Sequence, residues 1–351
     1  MVERGLLNSG PDLLKELLPS GAKLFLACSE PVLGLWGNEF KNALTATGCD
    51  VALLPVPDGE TAKRFANVEK LATKMVRSGA DRRSAIVALG GGVVGDVGAF
   101  LASIFMRGIP VIQVPTTLVA QVDSAIGGKT GVNLLAGKNL IGTFHQPLAV
   151  LADPAVLSTL PEREYRSGLF EAMKYGVIRN PAIFDLMESQ RDGLLHRDAE
   201  LLETLIAECV RVKATVVSAD EREEGERRIL NFGHTIGHAL EAATCYKTFL
   251  HGEAVGWGMI AAALIGRQLQ VTEAQTAERI LGLVRAYGPL PCVNVDAKHI
   301  VRLLQYDKKT LGGVPHFVLA TTLGNVDIVN RVLPEVVVGA VEELKEVLQS
   351  R

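Results

Sequence analysis

The chain has 351 residues, a formal net charge of −3, and 48% hydrophobic against 21% charged residues. That length exceeds what one core usually holds and predicts two domains, in a globular rather than a disordered chain. So small a net charge gives no reason to expect nucleic acid or an anionic membrane as partner, and any anionic substrate must be met by local Lys and Arg. Five scattered cysteines, Cys28, Cys49, Cys209, Cys245 and Cys292, include no CxxC pair, which fits buried thiols in a reducing compartment. The N-terminus lacks an apolar signal core, and the longest apolar stretch, 254–266, is too short and too broken by glycine to span a bilayer. A cytoplasmic protein is expected.

In chain order, apolar runs at 23–28, 51–56, 84–89, 111–114 and 149–152 predict buried strands, with helical periodicity at 60–78 and 96–106 between them. This alternation predicts an α/β N-terminal domain over 1–160, with a mostly parallel, Rossmann-like sheet covered by helices on both faces. From 163 to about 286 the pattern is helical, punctuated by Asn180-Pro181 and broken at Gly288-Pro289. Runs at 317–320 and 326–329 predict a small hairpin, and 335–348 a last helix. Residues 161–351 are therefore expected to form a mainly α-helical domain.

Several motifs could carry chemistry. Gly90-Gly91-Gly92-Val93-Val94-Gly95-Asp96 follows a strand and opens a helix, where backbone N–H groups and a helix N-terminus can meet a phosphate; a tight turn is the alternative, and the string is not GxGxxG. Pro115-Thr116-Thr117 ends the next strand and offers hydroxyls to the same ligand. The stretches 123–130 and Gly137-Lys138-Asn139 predict a Gly- and Lys-rich loop, suited to an anionic substrate or cofactor phosphate or else simply a solvated turn. Glu171 and Lys174 lie one helical turn apart, either as an exposed ion pair or, with two imidazoles, as part of a Glu/His/His set of the catalytic-zinc type. Taken singly, Lys213, Arg227 and the Lys308-Lys309 pair read as surface cations, and the charged run 220–228 as a solvated face.

The densest signal is Asn231-Phe232-Gly233-His234-Thr235-Ile236-Gly237-His238, with His251-Gly252-Glu253 following, because it gathers three of the seven histidines. His234 and His238, four apart, share one helix face, and Gly233 and Gly237 thin it so that a ligand or another backbone can approach. A surface pair, a packed pair and a metal site all remain open on spacing alone, as does the choice of ligating histidines.

Together with Pro57-Asp58-Gly59-Glu60, Phe105-Met106-Arg107-Gly108, Thr159-Leu160-Pro161 and Asp307-Lys308-Lys309, these strings run through most of the chain and closely resemble the 3-dehydroquinate synthase family of sugar-phosphate cyclases. The resemblance implies an NAD-binding α/β domain, a helical metal domain and a homodimer. It implies Zn2+, or Co2+ in its place, on Glu171, His234 and His251, and moves His238 to the substrate side. It further implies NAD contacts from Glu60, Lys63, Gly91, Gly92, Asp96, Thr116, Thr117, Lys138 and Thr159. Substrate contacts would come from Arg107, Asp123, Lys129, Asn139, Lys174, Lys213, Arg227, Asn231, His238 and one of Lys308 or Lys309.

The implied reaction converts 3-deoxy-D-arabino-heptulosonate 7-phosphate, a phosphorylated sugar acid, into 3-dehydroquinate and phosphate by transient oxidation, β-elimination, reduction and ring closure, so that NAD+ is regenerated each turnover. Related readings are a 2-deoxy-scyllo-inosose synthase, a metal-dependent polyol dehydrogenase and a non-catalytic NAD-binding regulator; Lys213, Arg227, Asn231 and His238 match the dehydroquinate synthase pattern, which argues against the inosose synthase. One departure stands out: where the family carries an Asp or Asn pair after the first strand, this chain has Cys28-Ser29-Glu30-Pro31. Either Ser29 and Glu30 take over those contacts or NAD is held less tightly.

Overall fold

The computed structural model describes residues 1–135, 137–306 and 315–349. The chain divides into two compact units, one of Met1–Pro161 with Leu202–Ala214, the other of the described residues within Glu162–Leu201 and Thr215–Arg351. The long Ala199–Ala219 helix thus contributes its middle to the first unit.

The first unit is built on β1 (Lys23–Cys28), β2 (Asp50–Pro55), β3 (Ala85–Gly90) and β4 (Val111–Pro115). After these come β5 (Lys129–Leu134), β6 (Gly137–Phe144) and the short β7 (Ala149–Val150). Five of these strands make one parallel sheet in the order β2-β1-β3-β4-β7. Side chains alternate across a strand. Phe25, Ala27, Ile86 and Ala88 accordingly enter one core with Val97 and Leu101 of the Gly92–Ile104 helix. Leu24, Leu26, Val87 and Leu89 enter the other with Leu14, Phe40 and Leu44. Burial on both faces is why these strands read as unbroken apolar runs rather than as alternating ones.

Two sequence expectations change here. The predicted 60–78 helix is a single turn, Glu60–Ala62, followed by a separate helix Phe65–Arg77, because Lys63 leaves helical backbone geometry (ψ 56°). The Gly- and Lys-rich stretch expected as one loop is partly a β-hairpin, with β5 and β6 antiparallel. Thr130 and Val132 are buried, and a Cβ on Gly142 would lie 2.0 Å from the Thr130 carbonyl oxygen, so that glycine serves strand packing. Helices Leu6–Leu17 and Asn38–Ala46 were not anticipated.

The second unit is mainly helical, with the expected hairpin as β8 (His316–Thr322) and β9 (Asn325–Asn330), and a last helix Pro334–Gln349. Three helices dominate: Glu162–Ile178, His234–Ala243 and His251–Gln268. They touch at glycines. A Cβ on Gly252 would fall 1.8 Å from the Ser167 carbonyl oxygen, and one on Gly258 1.7 Å from that of Gly233. One on Gly237 would stand 2.9 Å from that of Ala254. The thinned histidine helix face therefore admits another backbone. Arg163 adds a two-pronged clasp, donating to Glu253 at 2.6 and 2.7 Å. Among the described residues no helix is long and apolar enough to cross a membrane.

Candidate active site

The glycine contacts bring the N-termini of two helices against the middle of a third, and the chemistry collects there. Glu171 is fully buried: its Oε1 lies 3.2 Å from His251 Nε2 and 3.7 Å from His234 Nε2, and its Oε2 accepts from Lys174 Nζ at 2.7 Å. Lys174 is itself 1% exposed, so the alternative of an exposed ion pair falls. His234 and His251 are the first residues of their helices, and Gly233, in left-handed backbone (φ 78°), makes the turn into the first. His238 sits one turn on, its ring 5.3 Å from that of His234 and 5.7 Å from that of His251. Nitrogens of the three imidazoles lie within 4.8 Å of one another.

Bonds of about 2.0 Å in a tetrahedral shell set donor atoms about 3.3 Å apart. The Glu171 to histidine separations bracket that spacing, and the donors are one carboxylate and neutral-capable imidazoles, so the cluster fits a divalent metal. Two triads share His234 and His251, one completed by Glu171 and the other by His238. Without a metal, burial and the nearby Lys174 push His234 down to about 4. At His251 burial opposes the charge, but hydrogen bonds with Glu171 and Glu241 outweigh it and hold the ring at about 10. One imidazole is thus strongly basic while its neighbour stays neutral.

Beside this cluster the charged run 220–228 is not merely a solvated face. The Asp220 carboxylate accepts the backbone N–H groups of Glu224, Gly225 and Arg227. This folds the segment so that Arg227 is buried, donating to the Glu221 carbonyl, and Asn231 donates to Glu223 at 2.7 Å. Two carboxylates that sequence reasoning passed over matter here: Glu223, in left-handed backbone, and Glu241, which is buried and faces His251. Glu241 sits three residues after His238, a helical spacing that could have flagged it; Glu223 was hidden among its charged neighbours. Lys308 and Lys309 lie outside the described residues.

The first unit holds the glycine cradle. A Cβ on Gly91 would meet Thr117 Cγ2 at 2.9 Å, and one on Gly92 the Ser124 hydroxyl at 3.0 Å, at the N-terminus of the Gly92–Ile104 helix. Thr116 is buried and its N–H donates to Gly90. Nearby, Lys63 Nζ binds Asp96 at 2.6 Å, while burial raises the Asp96 carboxyl above its ordinary range against the pull of Lys63. Asn133 links the hairpin to this group: its Nδ2 donates to Glu60 at 2.7 Å and its Oδ1 accepts from the Asn139 N–H at 2.8 Å. Lys213, buried and on the helix middle that belongs to this unit, pairs with Asp123 at 2.9 Å.

The remaining sequence candidates are more open. Arg107 and Lys129 are exposed, with Arg107 in left-handed backbone, and Lys138 is half-buried. Thr159 accepts a hydrogen bond from Trp36 Nε1 at 3.0 Å, a partner not anticipated. At the departure after β1, Ser29 is buried and Glu30 exposed. A helix N-terminus lined by glycine and by the hydroxyls of Thr117 and Ser124 fits a dinucleotide phosphate.

Two family models match consecutive parts of the chain, 3-dehydroquinate synthase N-terminal over residues 53–167 and 3-dehydroquinate synthase C-terminal over residues 168–310. The chain belongs to the 3-dehydroquinate synthase family. A relative from Koribacter versatilis named 3-dehydroquinate synthase is 57% identical, covering 98% of this chain and 94% of its own. One of the same name from Solibacter usitatus is 52% identical over 94% and 91%. Among solved structures, 2-epi-5-epi-valiolone synthase from Streptomyces hygroscopicus, with NAD+ and Zn2+ bound, superposes with a TM-score of 0.90 at 28% identity, covering 99% of this chain and 96% of its own. A 2-deoxy-scyllo-inosose synthase complexed with carbaglucose-6-phosphate, NAD+ and Co2+ gives 0.85 at 28%, over 97% and 96%. A glycerol dehydrogenase from Schizosaccharomyces pombe, 15% identical with a TM-score of 0.73 over 99% of this chain and 88% of its own, shares the fold.

Proposed function

We propose that the chain is a 3-dehydroquinate synthase, releasing phosphate from 3-deoxy-D-arabino-heptulosonate 7-phosphate and closing the carbocycle, with NAD+ and a divalent metal, Zn2+ or Co2+, as cofactors. The observation that carries this is the fully buried Glu171 between His234 and His251, within a chain so similar to synthases of that name. Glu171 is taken as the third ligand in preference to His238 because its buried Oε1 faces Nε2 of both His251 and His234, at 3.2 and 3.7 Å. When bound, the metal polarises a substrate hydroxyl and NAD+ accepts and returns a hydride.

The chain's own residues do the rest. The 1–160 region serves as the NAD-binding domain, with Gly91 and Gly92 admitting the pyrophosphate to the helix N-terminus and Glu60, Lys63, Asp96, Thr116, Thr117, Lys138 and Thr159 around the nucleotide. The 161–351 region holds metal and substrate. Arg107 and Lys129, with Lys308 or Lys309, supply the cations that clamp the phosphate. Lys174, Lys213, Asn139, Asn231, Arg227 and His238 orient hydroxyls and move protons, and Asp123, 2.9 Å from Lys213 Nζ, aims that side chain. Exposed Leu134, Leu135, Leu140 and Phe144 on the β5–β6 hairpin agree with a homodimer, which light scattering would measure. Five free thiols agree with a cytoplasmic setting.

One assay separates this from its neighbours. The metal-loaded protein with NAD+ is given the heptulosonate phosphate, glucose 6-phosphate or a polyol, while phosphate and NADH are followed together. Phosphate from the heptulosonate without net NADH is expected; phosphate only from the hexose, or net NADH from the polyol, would replace the reading.

A further inference from the structure

Glu241 lies on the His234–Ala243 helix, two turns beyond His234, and is 5% exposed. Nothing apolar rewards a carboxylate there, and burying one is costly unless it is paired. Its Oε2 stands 3.3 Å from Nδ1 of His251, whose other nitrogen, Nε2, faces Glu171 at 3.2 Å. The imidazole is therefore held at both ends: one nitrogen points into the cluster and the other at a carboxylate from a different helix. That is the arrangement by which a metal-bound histidine is fixed in one tautomer and one ring orientation, with its ligating nitrogen made more basic.

We infer that Glu241 is the positioning residue for His251, accepting the Nδ1–H so that Nε2 is presented, lone pair inward, to a divalent metal. Glu241 does not touch metal or substrate. His251 needs such a partner more than His234 does, because its side chain is 37% exposed against 10%, and its ring is otherwise less confined. His234 takes its orientation from the Phe232 carbonyl, 3.1 Å from its Nδ1. The two ligands are thus steered by different acceptors, one a carboxylate and one a backbone oxygen. The close helix crossing at Gly237 keeps Glu241 within reach of the next helix's first residue.

This inference rests on the reading of His251 as a ligand, and the test separates the two. Zn2+ affinity is measured by competition with a chromogenic chelator for the wild type, Glu241→Ala, Glu241→Gln and His251→Ala, and the visible spectrum of each Co2+-loaded protein is recorded. Glu241→Ala is expected to weaken Zn2+ about 10- to 100-fold, with Glu241→Gln falling between it and the wild type, since an amide oxygen still accepts from Nδ1–H. The Co2+ bands should shift in both, while NAD+ affinity stays unchanged. If His251→Ala abolishes binding but both Glu241 variants keep wild-type Zn2+ affinity and Co2+ bands, the positioning role is overturned. If His251→Ala itself retains Zn2+, the ligand assignment fails and takes this inference with it. Should Glu241→Ala prove unfolded by near-UV circular dichroism, the isosteric Gln variant decides on the same criteria.

Discussion

Lys174 and Glu171 are the residues whose surroundings most constrain the chemistry. Both are buried, so removing Lys174 leaves the Glu171 charge facing only the neighbouring His251, which costs up to about 3–5 kcal/mol. Lys174→Met is therefore expected to destabilise the metal-free protein by roughly that amount in urea unfolding. The loss should shrink in the metal-loaded protein, where a second cation faces the carboxylate; an unchanged midpoint without metal would rule out the pair's role. Metal content measured after dialysis tests the ligand set directly: Glu171→Gln and His251→Ala should lose metal, while His238→Ala keeps it. The reverse result for His238 and Glu171 would transfer the third ligand to the imidazole. Spacing made Glu171, Lys174 and the histidines visible in the sequence. Their burial was not, because it comes from glycine contacts between helices separated along the chain.

At the scale of elements, close contact between helices decides whether the cluster exists. Gly258→Ala places a methyl against the Gly233 carbonyl, and neither backbone can yield without tilting a helix that carries His234 or His251. Overpacking of this kind costs about 1–3 kcal/mol, so both a lower unfolding midpoint and at least tenfold weaker Zn2+ binding are expected. The loop before Arg227 depends on Asp220 in another way. Backbone N–H bonds, first that of Gly225, hold the Asp220 carboxyl below its ordinary 3.8. A depressed native value means the carboxylate stabilises the fold above the unfolded pKa and loses that contribution as pH falls through the lower folded one. The stability gap between wild type and Asp220→Asn should accordingly be full at neutral pH and close below about 3.8; a gap independent of pH would deny the carboxylate that role. Parallel strands were legible because both their faces are apolar. The β5–β6 hairpin was not, since Gly142 and Lys129 count as loop residues until the packing against Thr130 is known.

For the whole molecule, the proposed assignment divides the cofactors between the two units. The metal cluster draws on Glu162–Ile178, His234–Ala243 and His251–Gln268, all in the second unit, whereas the glycine cradle and the Lys63–Asp96 pair belong to the first. A ligand that binds only the folded form stabilises it by RT ln(1 + [L]/Kd), about 4 kcal/mol at a thousandfold excess over Kd. Local opening is governed by the stability of the unit that contains a given amide. Zn2+ should therefore slow hydrogen exchange first in those three helices, and NAD+ first at the end of β3 and along Gly92–Ile104. The order of addition should not matter to where each effect begins. Protection by Zn2+ that starts in the parallel sheet, or by NAD+ that starts in the histidine helices, would mean that the cofactors are not partitioned as their residues are. Exchange measured with each ligand alone, then with both, also isolates any coupling, because protection in the presence of both that exceeds the sum of the separate effects can arise only if one site alters the affinity of the other.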